Sequence, residues 1–80
     1  MTRSEVEARV HEVLTTVLKV PSPPSVPLVR EQVPEWDSLN HVEIIFAVEE
    51  ELGVAFSEQD MATLDGSTAI VDAVVRHLAA

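Results

Sequence analysis

The segment from Asp37 to Gly53 constrains the fold most, because it carries the start, the apolar repeat and the end of one amphipathic helix. Asp37 is a favourable N-cap, since its carboxylate can accept hydrogen bonds from the free N–H groups of a first helical turn. Gly53 suits the position after a helix because glycine adopts the left-handed conformation without strain. The intervening side chains recur near every 3.6 residues, which predicts an apolar face formed by Leu39, Val42, Ile45, Phe46 and Leu52, widened by Ile44 and Val48.

A first helix is predicted from Ser4 to about Lys19, where Ser4 and Glu7 fit a capping box. Four prolines between Val20 and Pro27 end this helix and prevent another, so a long loop should continue to about Trp36. The expected buried stripe of the first helix consists of Val6, Val10, Val13, Leu14 and Val17, with Leu18 beside it. Three apolar side chains should hold the loop against the bundle, namely Leu28, Val29 and Val33.

Two further helices are predicted after Gly53. Ser57 can cap a short helix over Glu58–Thr63, and Ser67 or Thr68 can cap a last helix that runs through Leu78. The side chains expected to face inward are Phe56, Met61 and Leu64, followed by Ile70, Val71, Val74, Val75 and Leu78. Since no segment shows sustained strand alternation, the prediction is a small all-α bundle of three main helices and one short helix, with residues 1–80 as one domain.

The charge distribution excludes several classes of partner. The net charge is −9, and the stretch from Glu31 to Val75 holds eleven acidic residues and no lysine or arginine. Because phosphate-rich surfaces are bound through basic patches, nucleic acid and anionic membranes are not expected partners. No apolar run reaches the roughly 20 residues of a membrane span, the charged N-terminus lacks a signal-peptide pattern, and cysteine is absent. A cytoplasmic monomer is expected.

Ser38 is the candidate functional residue, because a first-turn hydroxyl lies where free N–H groups and the helix dipole stabilise a phosphate attached to it. A plain surface serine is the alternative. His41 follows one turn later and could approach Ser38, but a nucleophilic serine also needs an orienting acid and an oxyanion hole, and no Gly-x-Ser-x-Gly motif is present. No catalytic residue and no metal site are predicted, since His11, His77 and the acidic clusters lack ligand spacing.

The sequence Asp37-Ser38-Leu39 opens an acidic helix that ends with the run from Val48 to Val54, and this arrangement resembles the acyl carrier proteins. The likeness covers nearly the whole chain: the first helix, the long loop, the Phe56-Ser57 entry to a short helix, and the Ser67-Thr68 start of the last helix.

The resemblance implies that Ser38 receives 4′-phosphopantetheine from coenzyme A, through a separate phosphopantetheinyl transferase that uses a divalent metal. The thiol of this arm would carry acyl groups as thioesters, and the chain itself would not be an enzyme. Asp37 would cap the helix and contact the metal of the transferase. Acyl-loading and synthase enzymes with basic patches are the implied partners, and the acidic residues matched to their recognition are Asp37, Glu43, Glu49 and Glu50. Leu39 is also assigned to partner recognition. Trp36 is open between a partner contact and a staple over the helix start.

Two features separate the chain from many fatty-acid carriers, which have a glycine two residues before the Asp-Ser pair and an Asp-Leu further upstream. Here the run from Glu31 to Ser38 contains neither, and Trp36 precedes Asp37 as in some discrete carriers outside the core fatty-acid pathway. The expected role is therefore an acyl carrier in polyketide, fatty-acid-like or other specialised biosynthesis. The alternatives are an aminoacyl or peptidyl carrier, or an unmodified acidic adaptor that binds proteins.

Overall fold

The computed structural model describes residues 1–21 and 26–79. Within these residues the chain forms four α-helices and no strand: α1 (Arg3–Leu18), α2 (Ser38–Leu52), α3 (Glu58–Thr63) and α4 (Ser67–Ala79). A single 3-10 turn, Arg30–Gln32, interrupts the long connection between α1 and α2 and was not expected from the sequence. The predicted small all-α bundle, with three main helices and one short helix, is confirmed.

Helix α1 packs against both α2 and α4, and the core lies where these three helices meet. Val6, Val10 and Leu14 are fully buried on α1, as their spacing predicted, while Val13 and Val17 are partly buried beside them. Leu18, the last residue of α1, is buried as well. The remaining buried apolar side chains come from the other helices and from the loops: Leu28, Val33, Trp36, Ile44, Ile45, Val48, Leu52, Leu64, Ile70, Val71, Ala73 and Val74.

The N-cap of α1 is Thr2, two residues before the predicted cap Ser4, so a different pair forms the capping box. The Thr2 hydroxyl accepts from the Glu5 N–H at 3.2 Å, and the Glu5 carboxylate accepts from the Thr2 N–H at 3.3 Å. Ser4 therefore lies inside the helix, so the predicted Ser4–Glu7 box is wrong. Both pairs have the same spacing and nearly the same chemistry, and threonine is also a good cap, so local sequence does not separate them.

Helix α1 ends at Leu18, and Lys19 adopts the left-handed conformation with φ 56°. The helix thus stops before the first proline at position 21. Most of the proline-rich stretch that was expected to end it, residues 22–25, lies outside the described residues.

The loop after residue 26 is fastened to the start of α4 through its backbone. The Leu28 N–H donates to the Ser67 hydroxyl at 2.9 Å, the Ser67 N–H returns a bond to the Leu28 carbonyl at 2.8 Å, and Val29 forms a bridge with Gly66. A Cβ atom at Gly66 would lie 3.1 Å from the Leu28 carbonyl oxygen, so the close approach favours glycine. The predicted role of Ser67 as the cap of α4 is wrong, because Ser67 lies within the helix and its hydroxyl accepts from the Leu28 N–H in the loop.

Some expected core positions are exposed. Leu28 and Val33 hold the loop against the bundle as predicted, but Val29 contributes its backbone and leaves its side chain exposed. Leu78, at the end of α4, was also expected in the core and is exposed. Phe56 and Met61 are partly buried against the core, and Leu64 is fully part of it.

Candidate functional site

Helix α2 begins at Ser38, as the sequence predicted, and two side chains brace its first turn. The Asp37 carboxylate accepts from the Asn40 N–H at 2.9 Å, and the Asp37 carbonyl accepts from the His41 N–H at 2.8 Å. The Asn40 side-chain amide in turn donates to the Glu35 carbonyl at 2.8 Å. The helix start is therefore held from the preceding segment and from within its own first turn.

Ser38 is exposed at the first position of this braced helix. None of the hydrogen bonds of the described chain engages its hydroxyl group. The N–H groups of Ser38 and Leu39 have no acceptor four residues earlier within the helix, which is the usual condition of a first turn. The site thus combines an accessible hydroxyl with unpaired donors and the positive end of a helix dipole.

His41 does not serve Ser38, although the sequence allowed their approach. Its ring is buried, Nδ1 accepts from the Trp36 indole N–H at 2.9 Å, and Nε2 lies 2.7 Å from the Met61 carbonyl oxygen. Both ring nitrogens are therefore committed to other partners, and neither is available as a base for the Ser38 hydroxyl.

Trp36 lies under the start of α2, with only 3% of its surface exposed. It occupies the position before the N-cap, and His41 occupies the fourth position of the helix, which is the spacing of a staple. The two rings are 6.1 Å apart between centroids and are joined by the hydrogen bond described above. This burial supports the staple interpretation of Trp36.

The predicted apolar face of α2 is partly wrong. Leu39, Val42 and Phe46 are exposed, Leu39 by 78% and Phe46 by 60%. The buried face is formed instead by His41, Ile44, Ile45, Val48 and Leu52. Both sets repeat with helical spacing, so periodicity alone could not decide which set faces the core.

The exposed side chains Leu39, Val42 and Phe46, called here the apolar stripe, begin directly beside Ser38 and continue down α2. The spacing of three and four residues places them on one side of the helix. Sequence reasoning missed Val42 and Phe46 as surface residues, since it assigned them to the core. Soluble chains rarely leave several large apolar side chains together in water without a use.

The acidic residues of α2 differ in whether their carboxylates bind other parts of the chain. Glu43 and Glu50 are exposed, and no ion pair of the described chain engages them. The Glu49 carboxylate accepts from the Phe56 N–H at 2.7 Å, so it holds the segment after α2. Glu51 pairs with Arg9 on α1 at 3.2 Å. Of the carboxylates of α2, Glu43 and Glu50 are therefore the ones that face outward without an internal role.

An open cleft lies between the end of α1 and the start of α2. Lys19 lines it together with Glu35, Asp37 and Glu43. The stretch from Glu31 to Val75 contains no lysine or arginine, so Lys19 reaches the helix start from outside that stretch. The surroundings of Ser38 are thus mainly acidic, with a single lysine at the edge of the cleft.

Comparison with known proteins adds no identification. No protein-family model matches the chain, and no curated protein matches it significantly. In the described residues, no helix is both long enough and apolar enough to cross a bilayer.

Proposed function

We propose that this chain is an acyl carrier, with 4′-phosphopantetheine attached to Ser38. The observation that carries the proposal is the exposed Ser38 hydroxyl at the first position of a helix whose start is braced by Asp37 and Asn40. A carrier needs an attachment point that is accessible to several enzymes and fixed on a rigid element. Ser38 meets both requirements without any catalytic group of its own.

The residues at the helix start fit the chemistry of this group. A phosphodiester on Ser38 would lie beside the unpaired N–H groups of the first turn, where the helix dipole favours negative charge. Asp37 is exposed and uses one carboxylate oxygen for its cap, which leaves the other for the divalent metal of a transferase. When bound, the group supplies a terminal thiol that carries acyl chains as thioesters, which a chain without cysteine cannot supply itself.

The apolar stripe and the outward carboxylates support docking to partner enzymes. Leu39 begins the stripe beside the attachment point, and Glu43 and Glu50 flank it on the same helix. We assign recognition to these three residues, with partners that offer an apolar surface edged by lysine or arginine. Glu49 and Trp36, which the resemblance also suggested, are committed to internal bonds at 2.7 Å and 2.9 Å.

The proposal is tested by intact mass after incubation with coenzyme A, magnesium and a broad-specificity phosphopantetheinyl transferase. We expect a gain of one phosphopantetheinyl group, and no gain for Ser38→Ala. The matched control is Ser4→Ala, because Ser4 is also an exposed first-turn serine, on α1. Far-UV circular dichroism checks that both variants fold. A folded wild-type chain that starts without the group and stays unmodified by two different transferases would overturn the proposal.

The role of the apolar stripe is tested with the same assay. Leu39→Ala should lower the modification rate at limiting carrier concentration several-fold, because a contact residue contributes chiefly to docking. Leu78→Ala is the matched control, since Leu78 is an exposed leucine on α4. Equal rates for both variants would remove Leu39 from the recognition surface.

Two other functions are separated by these measurements. An aminoacyl or peptidyl carrier would gain the same mass, so it is distinguished by loading with aminoacyl donors in place of acyl donors. An unmodified acidic adaptor is favoured by the apolar stripe, which needs no arm to bind a protein. The adaptor becomes the better description when Ser38 remains unmodified and the stripe still binds a partner.

A further inference from the structure

His41 is a buried, titratable side chain that the carrier role leaves unused. Its Nδ1 accepts from the Trp36 indole N–H at 2.9 Å, and its Nε2 contacts the Met61 carbonyl oxygen at 2.7 Å. An indole N–H can only donate, and a carbonyl oxygen can only accept. The two contacts therefore require the neutral imidazole with its proton on Nε2.

These contacts form a continuous chain, Trp36–His41–Met61, across three parts of the molecule. Trp36 ends the loop that precedes Ser38, His41 lies in the first turns of α2, and Met61 lies in α3. The loop near Trp36 is otherwise held by backbone bonds to Val33 at 3.0 Å and by the Arg30 side chain, which donates to the Trp36 carbonyl at 3.3 Å. Two side-chain bonds therefore tie this segment to α2: the buried indole contact with His41, and the exposed bond from the Asn40 amide to the Glu35 carbonyl at 2.8 Å.

Protonation of His41 would act on the two contacts in opposite ways. Nε2 already carries a proton, so the bond to the Met61 carbonyl would persist and gain charge assistance. Nδ1 would gain a proton and face the Trp36 N–H, which leaves two donors directed at each other in a buried site. An unsatisfied buried donor is costly, so the tryptophan contact is the one that must break.

We propose that His41 is a proton-controlled latch: its protonation breaks the Trp36 contact and so weakens the hold of α2 on the loop segment before Ser38, while α3 stays attached through Met61. The bond from Asn40 to the Glu35 carbonyl does not involve His41 and persists. The latch concerns the contacts of His41 and holds whether or not Ser38 carries a prosthetic group. Its consequence for Ser38 is local, because Trp36 directly precedes the capping residue Asp37.

Three charged side chains near the latch already bind other partners. The carboxylate of Asp37 bonds the Asn40 N–H, Asp60 bonds the Ser57 N–H and contacts His77, and the Arg30 side chain bonds the Trp36 carbonyl. None of these can replace the Trp36–His41 bond. The other charged side chains on the neighbouring elements are Lys19 at the end of α1, Glu31 and Glu35 in the loop, Glu43, Glu49, Glu50 and Glu51 on α2, Glu58 on α3, and Asp65 after it.

The first test uses Trp36 as its own reporter, since it is the only tryptophan of the chain. The nitrogen–proton spectrum should contain one indole resonance, whose position reports the hydrogen bond to His41. As the pH is lowered until His41 becomes protonated, this resonance should move away from its hydrogen-bonded position. Acrylamide quenching of Trp36 fluorescence should rise several-fold in the same step, with the helix content unchanged by circular dichroism.

Two variants assign the transition. His41→Asn keeps an acceptor near the Nδ1 position and cannot titrate, so Trp36 should stay protected at both ends of the pH range. His77→Asn is the matched control, because His77 contacts Asp60 and lies outside the latch, and it should retain the transition. A transition that survives in folded His41→Asn would overturn the proposal.

A measurement on the wild-type chain keeps the proposal falsifiable if His41→Asn does not fold. Nitrogen-15 shifts of the His41 ring should show the proton on Nε2 at about pH 8 and should titrate together with the Trp36 indole resonance. A proton on Nδ1 at the start, or an indole resonance that remains fixed while the ring of His41 titrates, would each disprove the latch.

Discussion

Helices α2 and α3 begin in the same way and are held in place by different means. Each has a side-chain cap at its start: Asp37 accepts from the Asn40 N–H, and Ser57 accepts from the Asp60 N–H. Helix α2 then buries five residues in the core, whereas α3, six residues long, has no buried residue within its bounds. The comparison shows that a good cap fixes where a helix starts, while packing decides how firmly it is held.

Helix α3 is attached by polar contacts and by one partly buried apolar side chain, Met61. The Met61 carbonyl contacts His41 at 2.7 Å, and the Asp60 carboxylate lies 3.7 Å from Nε2 of His77. Leu64, directly after the helix, supplies the adjacent apolar anchor. Elements with few buried apolar contacts open locally at lower free energy than the rest of the fold. We therefore expect α3 to open without unfolding α1, α2 and α4.

The largest effect is expected from Ile44→Ala, which removes a fully buried side chain of α2. Large-to-small changes of this kind cost about 2–5 kcal/mol, because they lose transfer free energy and leave a cavity. The measurement is the free energy of unfolding from urea titration followed by circular dichroism. Phe46→Ala is the matched control on the same helix, and its 60% exposed side chain should change stability by less than about 0.5 kcal/mol. Equal losses would contradict the assignment of the buried face.

The next effect is expected from Asp37→Ala, which removes the cap of the packed helix. Loss of such a cap costs about 1 kcal/mol. Because α2 is part of the core, this loss should appear in the global unfolding free energy, with an unchanged dependence on urea. Asp37→Asn is the control, since asparagine also caps well and should recover most of the stability. Failure of the asparagine variant to recover it would show that Asp37 acts through its charge.

A smaller global effect is expected from Ser57→Ala, although the bond that it removes is similar. The loss should appear as faster amide hydrogen exchange within α3, by about tenfold for a cap of about 1.4 kcal/mol. The global unfolding free energy should fall by less than in Asp37→Ala, because α3 opens by itself. A global loss equal to that of Asp37→Ala would break the comparison and make α3 part of the cooperative core.

The sequence predicted the boundaries of these two helices well, because boundaries depend on local chemistry. Asp37, Gly53 and Ser57 act within one turn of their own positions, and Gly53 adopts the expected left-handed φ of 66°. The direction in which α2 faces was predicted less well. Leu39 and Phe46 belong to one helical stripe and Ile44 and Val48 to another, and only contact with α1 decides between them.

The features of the candidate site also separate into those that local sequence predicted and those that it did not. Exposure of Ser38 at a capped helix start followed from local signals. The commitments of Trp36, His41 and Glu49 depend on partners that lie between 5 and 20 residues away along the chain, as in the bonds from Trp36 to His41 and from His41 to Met61. Glu49 bonds the backbone of Phe56, and no residue pattern in α2 indicates this. Long-range hydrogen bonds were therefore the part that sequence could not supply.

The smallest effect is expected from the titration of Asp60, whose carboxylate is part of the capping box of α3. It tests whether α3 responds to pH separately from α2. The Ser57 backbone N–H lowers the pKa of Asp60 below its usual value, assisted by the Ser57 hydroxyl and by His77. A carboxyl with a lowered pKa in the folded state stabilises that state at neutral pH, and the contribution is lost as the pH falls through the folded value. Exchange protection of α3 should therefore fall on acidification, after correction for intrinsic exchange rates.

Asp60→Asn should reduce the α3 protection at neutral pH and remove most of its acid dependence. The matched control is Glu5→Gln, because the pKa of Glu5 is also lowered by the backbone N–H of its capping box, with Thr2 on α1. Glu5→Gln should leave the α3 response intact, since its capping box lies on another helix. If acidification instead lowers protection in α2 and α3 equally in the wild-type chain, the two helices form one cooperative unit. The difference in buried residues between α2 and α3 would then have no consequence for how the molecule opens.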